Sequence, residues 1–241
     1  MLHKTRGIVF SFTEYRETSL IVKIYTELFG LQSYIVNGVR KKNAKQHVAT
    51  FQPLTPVDLV VYHKDKPGIQ RISEIRPSPP LRDIPFNVVK STIALFLDEV
   101  LCKVVREEEG NPLLFEFIFN SLQQLDVQQP VSADFHLLFL IRLSRHIGFY
   151  PIQNHSDDNP FFNLQDGKFQ SSIPLHPYYL DEASSTRFAK LIQQSADLSS
   201  TLGYGQEEKK VLIENVLEYF RLHIEGFGQV KSHKVLEQIF S

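Results

Sequence analysis

The sequence predicts an α+β protein in which a five-stranded barrel is followed by an all-helical region. Apolar and polar residues alternate with a period of two over roughly the first 76 positions, as in strands with one buried face. A proline-rich segment follows at residues 77–85, and beyond it the apolar period lengthens to about 3.6 residues, as in helices. Strands first and helices afterwards indicate two unlike domains.

Three strands are predicted near the N-terminus. In the first, the alternation places Ile8, Phe10 and Phe12 on one side. The pattern continues over residues 20–25 and 31–36, and short turns separate the three runs.

Two more strands complete the predicted sheet. A run rich in β-branched residues covers positions 55–63, and a turn containing Pro67 and Gly68 leads into a last strand that begins near Ile69. Five strands in about 75 residues are typical of an OB-fold barrel, although an SH3-like barrel has nearly the same strand statistics. We therefore expect an OB-fold over residues 1–78.

Six helices are predicted after the proline-rich segment. They cover about residues 85–106, 112–125, 132–148, 185–196, 206–223 and 232–240. Residues 149–182 are irregular and rich in Pro, Asn and Asp, with a small hairpin near Asp166-Gly167. The predicted domains are therefore 1–78 and 79–241.

The charge of the chain is divided between its two parts. The whole sequence carries a formal charge of −1, which by itself argues against a nucleic-acid partner. Residues 1–80, however, hold 12 Lys and Arg against 6 Asp and Glu, so the first part is basic and the remainder is acidic. A basic sheet domain suits a polyanion, whereas an acidic helical domain suits structural or protein-partner roles.

The strongest functional signal is a cluster of cations after the third strand. Four of the six residues from Arg40 to Lys45 are Lys or Arg, and none is acidic. Runs of like charge are usually solvated turns, but the basic domain and the strand context favour a phosphate-binding loop. Aromatic residues of the sheet can either stack on unpaired bases or pack in the barrel. The candidate DNA-binding residues are Arg40, Lys41, Lys42, Lys45, Lys23, Arg6, Arg16, Tyr25 and Tyr34.

No motif for catalysis or metal binding stands out. The phosphate-binding G-x-x-x-x-G-K-[ST], the dinucleotide-binding G-x-G-x-x-G after a strand, and the metal-binding H-E-x-x-H are all absent from the sequence. His155 with Asp157 and Asp158 is at most an adventitious cation site. The sequence therefore predicts no enzyme activity, no cofactor and no bound metal.

The sequence also predicts a soluble, cytoplasmic protein. No apolar run approaches the roughly 18 residues of a membrane span, and the N-terminus lacks the apolar core and cleavage site of a signal peptide. The single cysteine, Cys102, excludes a disulfide framework and a four-cysteine zinc site. It fits a reducing compartment, and we expect its side chain to be buried.

Short motifs run in a fixed order along nearly the whole chain. The N-terminal part contains Gly7-Ile8-Val9, Gly30-Leu31 after Thr26-Glu27, and the turn Gly38-Val39-Arg40-Lys41. In the C-terminal part, the segment from Phe139 to Pro151 ends in Gly-Phe-x-Pro, and Gly226-Phe227 opens a closing motif. In this order and spacing the motifs resemble the RecO family of bacterial recombinational repair mediators.

The resemblance implies an OB-fold domain that binds single- and double-stranded DNA, followed by a helical domain. It further implies that the protein anneals complementary strands and, with RecR, helps RecA replace single-stranded DNA-binding protein, in the cytoplasm at the nucleoid. Many family members carry a four-cysteine zinc site in the irregular region. Residues 151–167 hold no cysteine, so the chain resembles the zinc-free branch.

The family resemblance also implies a site for the C-terminal tail of single-stranded DNA-binding protein. That tail is acidic and ends in an apolar residue, so its receptor needs cations beside an apolar surface. In the helical half we expect Arg142 and Arg145 to supply the cations and Phe139 and Leu143 the apolar surface. The alternative is that the two arginines only cover a packed helix with their apolar stems.

Two other functions stay open at the level of the sequence. In one, the acidic helical domain is the working part of a protein-interaction adaptor, and the barrel only tethers it to nucleic acid. The other, a nucleotide hydrolase, is disfavoured by the absence of a phosphate-binding loop.

Overall fold

The structure is a computed structural model that describes residues 1–39, 48–64 and 68–239. Its contacts divide the chain into two compact units, Met1–Val127 and Gln128–Ser241. The predicted α+β class is confirmed, because five barrel strands come first and six α-helices follow in the described ranges. No helix in these ranges is both long enough and apolar enough to cross a membrane.

The first unit contains a closed five-stranded barrel. Its strands are β1 (Leu2–Tyr15), β2 (Ser19–Thr26), β3 (Gly30–Val36), β4 (Pro56–Tyr62) and β5 (Gln70–Pro77), with a 3-10 turn at Val48–Phe51 before β4. The strands close in the order β1-β2-β3-β5-β4, and only the β3–β5 pair is parallel. This barrel confirms the predicted OB-fold.

Alternate positions of the strands fill the barrel interior. Leu20, Val22 and Ile24 of β2 and Tyr34 and Val36 of β3 are all buried in one cluster. This is the face that the alternation predicts, because side chains two positions apart in a strand point to the same side.

A β-bulge in β1 reverses the side on which its later residues point. The register between β1 and β2 shifts between Val9 and Ser11, so Phe10 is an extra residue on the β1 side. Phe12 consequently packs with Val9 against the interior cluster, whereas Phe10 stacks on Tyr25. The expectation that Phe10 and Phe12 share one side is wrong, because an inserted residue leaves no trace in the alternation.

Two helices complete the first unit, α1 (Val88–Val104) and α2 (Pro112–Val127). The side chain of Asn87 caps α1 by accepting two backbone N–H groups of its first turn. The predicted boundary at 78/79 marks the change from strands to helices, whereas the contacts group these helices with the barrel. The division into domains 1–78 and 79–241 stays a prediction.

The segment after α1 lies directly against the turn between β2 and β3. The Leu31 N–H donates to the Glu107 carbonyl at 2.9 Å. A Cβ atom at Gly30 would lie 2.4 Å from the Glu109 oxygen, and one at Gly110 would lie 2.6 Å from the Leu28 oxygen. Glycine at both positions therefore allows two backbone segments to approach more closely than any other residue permits.

The second unit combines four helices with a small sheet. The helices are α3 (Phe135–His146), α4 (Glu182–Gln194), α5 (Gln206–His223) and α6 (His233–Ile239), and the strands are β6 (Phe161–Asn163), β7 (Lys168–Gln170) and β8 (Tyr179–Leu180). The predicted hairpin near Gly167 is the β6–β7 pair. Phe162 packs against Phe169 and Phe188 at centroid distances of 4.7 and 4.5 Å, which joins this sheet to α4. Cys102 of the first unit is exposed, so the expectation that it is buried is wrong.

Candidate nucleic-acid interface

Three connections of the barrel meet at one end. The β1–β2 turn, residues 16–18, is joined to the segment after β3 by a hydrogen bond from the Ser19 hydroxyl to Asn37 at 3.0 Å. The start of β5, which follows the β4–β5 connection, lies beside them, because Arg71 pairs with Ile35 near the end of β3. OB-folds bind oligonucleotides with the face of their second and third strands and with the β1–β2 and β4–β5 turns. The geometry therefore favours this end of the barrel as a nucleic-acid interface.

The predicted basic loop leaves the barrel at the same end. The chain enters it after Gly38, which has φ of 76°, and Val39, which is buried in the interior cluster. Arg40, Lys41, Lys42 and Lys45 themselves lie outside the described residues, so their role stays a prediction.

Lys23 and Arg16 are both exposed on the barrel. Lys23 is on the outer face of β2, opposite Ser11 of β1 and Ser33 of β3. Arg16 is in the β1–β2 turn with φ of 54°, and its guanidinium lies 5.2 Å from the ring centroid of Tyr15. Both predicted cations are therefore accessible to a polyanion.

Arg6 is neutralised by two glutamates. It donates to Glu27 at 2.9 and 2.7 Å and also to Glu116 of α2. The guanidinium lies 5.2 and 5.0 Å from the ring centroids of Phe115 and Phe119. The hydrogen bond from Arg6 lowers the pKa of Glu27, so the pair stays ionised at neutral pH. These surroundings favour a structural link between β1 and α2 over the predicted DNA contact.

Tyr25 and Tyr34, the two tyrosines among the candidate DNA-binding residues, are both buried, so the base-stacking alternative is wrong for them. Tyr34 is inside the barrel, and Tyr25 lies between Phe10 and Phe115 at centroid distances of 5.7 and 5.9 Å. Burial raises the pKa of both tyrosine hydroxyls. The alternative of barrel packing holds for Tyr34, whereas Tyr25 is covered from outside the barrel by Phe115 of α2, so neither ring offers a face to an unpaired base.

The predicted partner site in the second unit is also partly wrong. Phe139 and Leu143 are 0% exposed in the core of the unit, so they cannot form an open apolar surface. Arg145 is exposed and lies 5.8 Å from the ring centroid of Tyr150, and half-buried Arg142 donates to a backbone carbonyl at 3.2 Å. The apolar half of the predicted site is lost, whereas the two arginines remain at the surface.

Backbone and amide contacts hold the stretch that corresponds to the family zinc site. The Asn154 side chain accepts the Phe169 N–H and donates to the Phe169 carbonyl, both at 2.9 Å, so it caps the edge of β7. The Ile152 N–H donates to the Gly167 carbonyl at 2.7 Å. In the described part of the chain, no three His, Cys, Asp or Glu side chains are grouped to hold a metal ion. The absence of bound zinc stays a prediction.

The sequence reasoning missed the surroundings of the β4–β5 turn. Tyr62 at the end of β4 is exposed, and its neighbours in the sheet are Leu2 on one side and Arg71 on the other. The alternation in β4 indicates that Tyr62 points outward, because Tyr62 falls on the same side as Asp58, away from the interior positions.

Comparison with known proteins agrees with this architecture. The family model described as Recombination protein O N terminal matches residues 1–80, and the one described as Recombination protein O C terminal matches residues 85–233. DNA repair protein RecO of Flavobacterium psychrophilum is 36% identical over 240 residues, which cover 99% of each chain. DNA repair protein RecO of Bacteroides fragilis is 35% identical over 241 residues, which cover 100% of each chain. The chain therefore belongs to the RecO family of DNA repair proteins.

Proposed function

We propose that the protein is a recombinational repair mediator that binds single- and double-stranded DNA and anneals complementary strands. The observation that carries the proposal is that the described residues flanking three barrel connections meet at one end, where Arg16 and Arg71 are exposed. Membership of the RecO family supports a role in DNA repair and recombination. The basic charge of residues 1–80 supports a polyanionic ligand.

Annealing by such a surface requires no catalytic residue. Cations on the barrel neutralise phosphates and release counterions whatever the base sequence. Two strands held near these cations repel each other less, and weak base readout lets them search for the correct register. For this reason the proposed activity needs neither an enzyme site nor a cofactor.

The proposed partners follow from the family. With RecR, the protein helps RecA replace single-stranded DNA-binding protein on DNA, in the cytoplasm at the nucleoid. The acidic tail of single-stranded DNA-binding protein docks on the helical unit, where Arg142 and Arg145 supply surface cations. Because Phe139 and Leu143 are buried, the apolar end of the tail must find another surface.

The salt dependence of DNA binding tests the proposal. Replacing Arg40, Lys41, Lys42 and Lys45 by Ala removes up to four phosphate contacts, so the slope of log affinity against log salt for single strands should fall by as much as ~3. Fluorescence anisotropy from about 50 to about 300 mM salt measures this slope in the range where counterion release is large.

A matched variant removes four cations from the second unit instead. Alanine at Lys168, Lys210, Lys231 and Lys234 makes the same change in net charge and should leave the slope unchanged. If the loop variant keeps the parent slope, the loop is not the main contact. A parent protein without DNA affinity would support the adaptor, and ATP hydrolysis by the chain alone would support the hydrolase.

A further inference from the structure

One aromatic side chain is exposed on the barrel beside the β4–β5 turn. Tyr62, the last residue of β4, has 48% of its surface exposed, whereas Tyr25 and Tyr34 are buried. The alternation in β4 buries Val57, Leu59 and Val61 and turns Tyr62 outward. A face of its ring is therefore accessible to a ligand.

Three cations on three strands or turns lie around this ring. Arg71 of β5 is directly opposite Tyr62, and Lys64 follows it at the start of the turn. On the other side of Tyr62, Leu2 of β1 is its direct partner in the sheet. Lys4 is therefore diagonal to Tyr62, at about 7 Å. All three cations are exposed, and none forms an ion pair with a carboxylate in the described part of the chain.

A continuous row of residues connects Tyr62 with the end of β3. Arg71 pairs with Tyr62 on one side and with Ile35 on the other, so the three residues lie side by side on neighbouring strands. Strands are about 4.8 Å apart, which puts Tyr62 about 10 Å from Ile35. A single strand that contacts the end of β3 can therefore extend along this row to Arg71 and then to Tyr62.

An accessible aromatic ring among cations is the combination that binds unpaired bases without sequence preference. We propose that Tyr62 stacks on one base of single-stranded DNA, while Arg71, Lys64 and Lys4 contact the neighbouring phosphates. The inference rests on the proposed DNA-binding function and gives that site a residue selective for single strands. Bases inside a duplex are already stacked and present only their edges in the grooves.

Two substitutions of Tyr62 separate the ring from its hydroxyl. Tyr62→Ala should weaken binding of an oligothymidylate by roughly 5- to 150-fold, the range for one lost base stack, and should leave duplex binding unchanged. Tyr62→Phe keeps the ring and should bind like the parent. Tyr178→Ala removes an exposed tyrosine of the second unit and should also bind like the parent.

An abasic oligonucleotide of the same length separates stacking from charge. The affinity of the parent should be lower for the abasic strand than for the normal strand, by the same factor as the substitution Tyr62→Ala lowers affinity for the normal strand. Tyr62→Ala itself should bind the normal and the abasic strand equally. Equal binding of oligothymidylate by parent and Tyr62→Ala, or an equal effect of the substitution on normal and abasic strands, would overturn the stacking role. A parent that binds no DNA would instead overturn the proposed function itself. Circular dichroism of each variant checks that the barrel is folded.

Discussion

The Lys90 ammonium lies 2.6 Å from an Asp83 carboxylate oxygen and 2.8 Å from the Asp126 carbonyl, with only 1% of the lysine side chain exposed. The Asp126 carboxylate in turn accepts the backbone N–H groups of residues 82–84. One buried lysine and two aspartates therefore fasten the segment after the barrel to the start of α1 and the end of α2.

Removing this lysine should destabilise the first unit. Lys90→Ala removes the ammonium that the Asp83 carboxylate and the Asp126 carbonyl contact, and we expect a loss of about 3 kcal/mol in the free energy of unfolding. This value is at the lower end of the range for breaking a buried ion pair, because Asp83 is 28% exposed and water can solvate its carboxylate. Urea unfolding followed by circular dichroism measures it.

An exposed ion pair of the same unit supplies the control. Arg76 lies 2.9 Å from Asp58 but is 78% exposed, so Arg76→Ala should cost less than about 1 kcal/mol. If Lys90→Ala costs no more than Arg76→Ala, the buried lysine does not hold the segment.

The second unit should lose stability as the pH falls below neutral. Burial lowers the pKa of His136 to about 4, with Asp134 opposing the shift and Lys209 adding to it. An unfolded chain takes up the same proton near pH 6.5, so the contribution to stability is complete above that pH and is lost as the pH falls towards 4. The expected loss at pH 4 is about 3 kcal/mol.

The difference in unfolding free energy between the parent and His136→Gln, followed from about pH 8 to about pH 4, isolates this group. The subtraction removes the contributions of other titrating groups, such as Asp98. Burial raises the pKa of Asp98 to about 7, so protonation of this carboxyl stabilises the folded state as the pH falls. A difference that does not vary with pH would contradict the assignment to His136.

Protein purified without a tag should contain far less than one zinc per chain. Structural zinc sites need four ligands, mostly thiolates and imidazoles, and the sequence offers one cysteine. Elemental analysis after dialysis measures the content. Stoichiometric zinc that resists a chelator, and that is lost in His155→Ala, would show that the loop holding this histidine binds metal after all.

Arg142→Ala and Arg145→Ala should each weaken binding of an acidic peptide that ends in an apolar residue. A charge-assisted hydrogen bond contributes about 1.5 to 3 kcal/mol, so each variant should lose roughly tenfold or more in peptide affinity. Binding to DNA alone should be unaffected. Lys168→Ala, which removes another exposed cation of the second unit, is the control. If both arginine variants bind the peptide like the parent, the tail docks elsewhere on the helical unit.

Local patterns were sufficient to predict most of the fold. Helix α5 begins at Gln206 and ends at His223 as predicted, because its apolar period and terminal signals lie within its own residues. The number and positions of the barrel strands likewise follow from five alternating runs, whereas their order does not, because an SH3-like barrel has nearly the same strand statistics. The bulge at Phe10 was beyond this reasoning, since an extra residue changes the pairing without changing the composition.

The candidate interface was less predictable because it depends on distant parts of the chain. Glu116, which neutralises Arg6, is 110 residues away from it in sequence, and Phe115 of the same helix covers Tyr25. Sequence reasoning found cations and aromatics of the right type, but it could not show which of them α2 removes from solvent. Tyr62 was not predicted, because its exposure in the fold, and not its residue type, distinguishes it from the buried Tyr25 and Tyr34.

The contact of the segment after α1 with the β2–β3 turn limits where the chain can be cut for expression. A fragment ending at residue 78 lacks the Glu107 carbonyl that accepts the Leu31 N–H, and it exposes the Tyr25 ring that Phe115 of α2 covers. A backbone N–H without its acceptor beside bare aromatic rings promotes aggregation. The shortest soluble fragment should therefore extend through both helices to Val127, and preparations of the isolated barrel should precipitate.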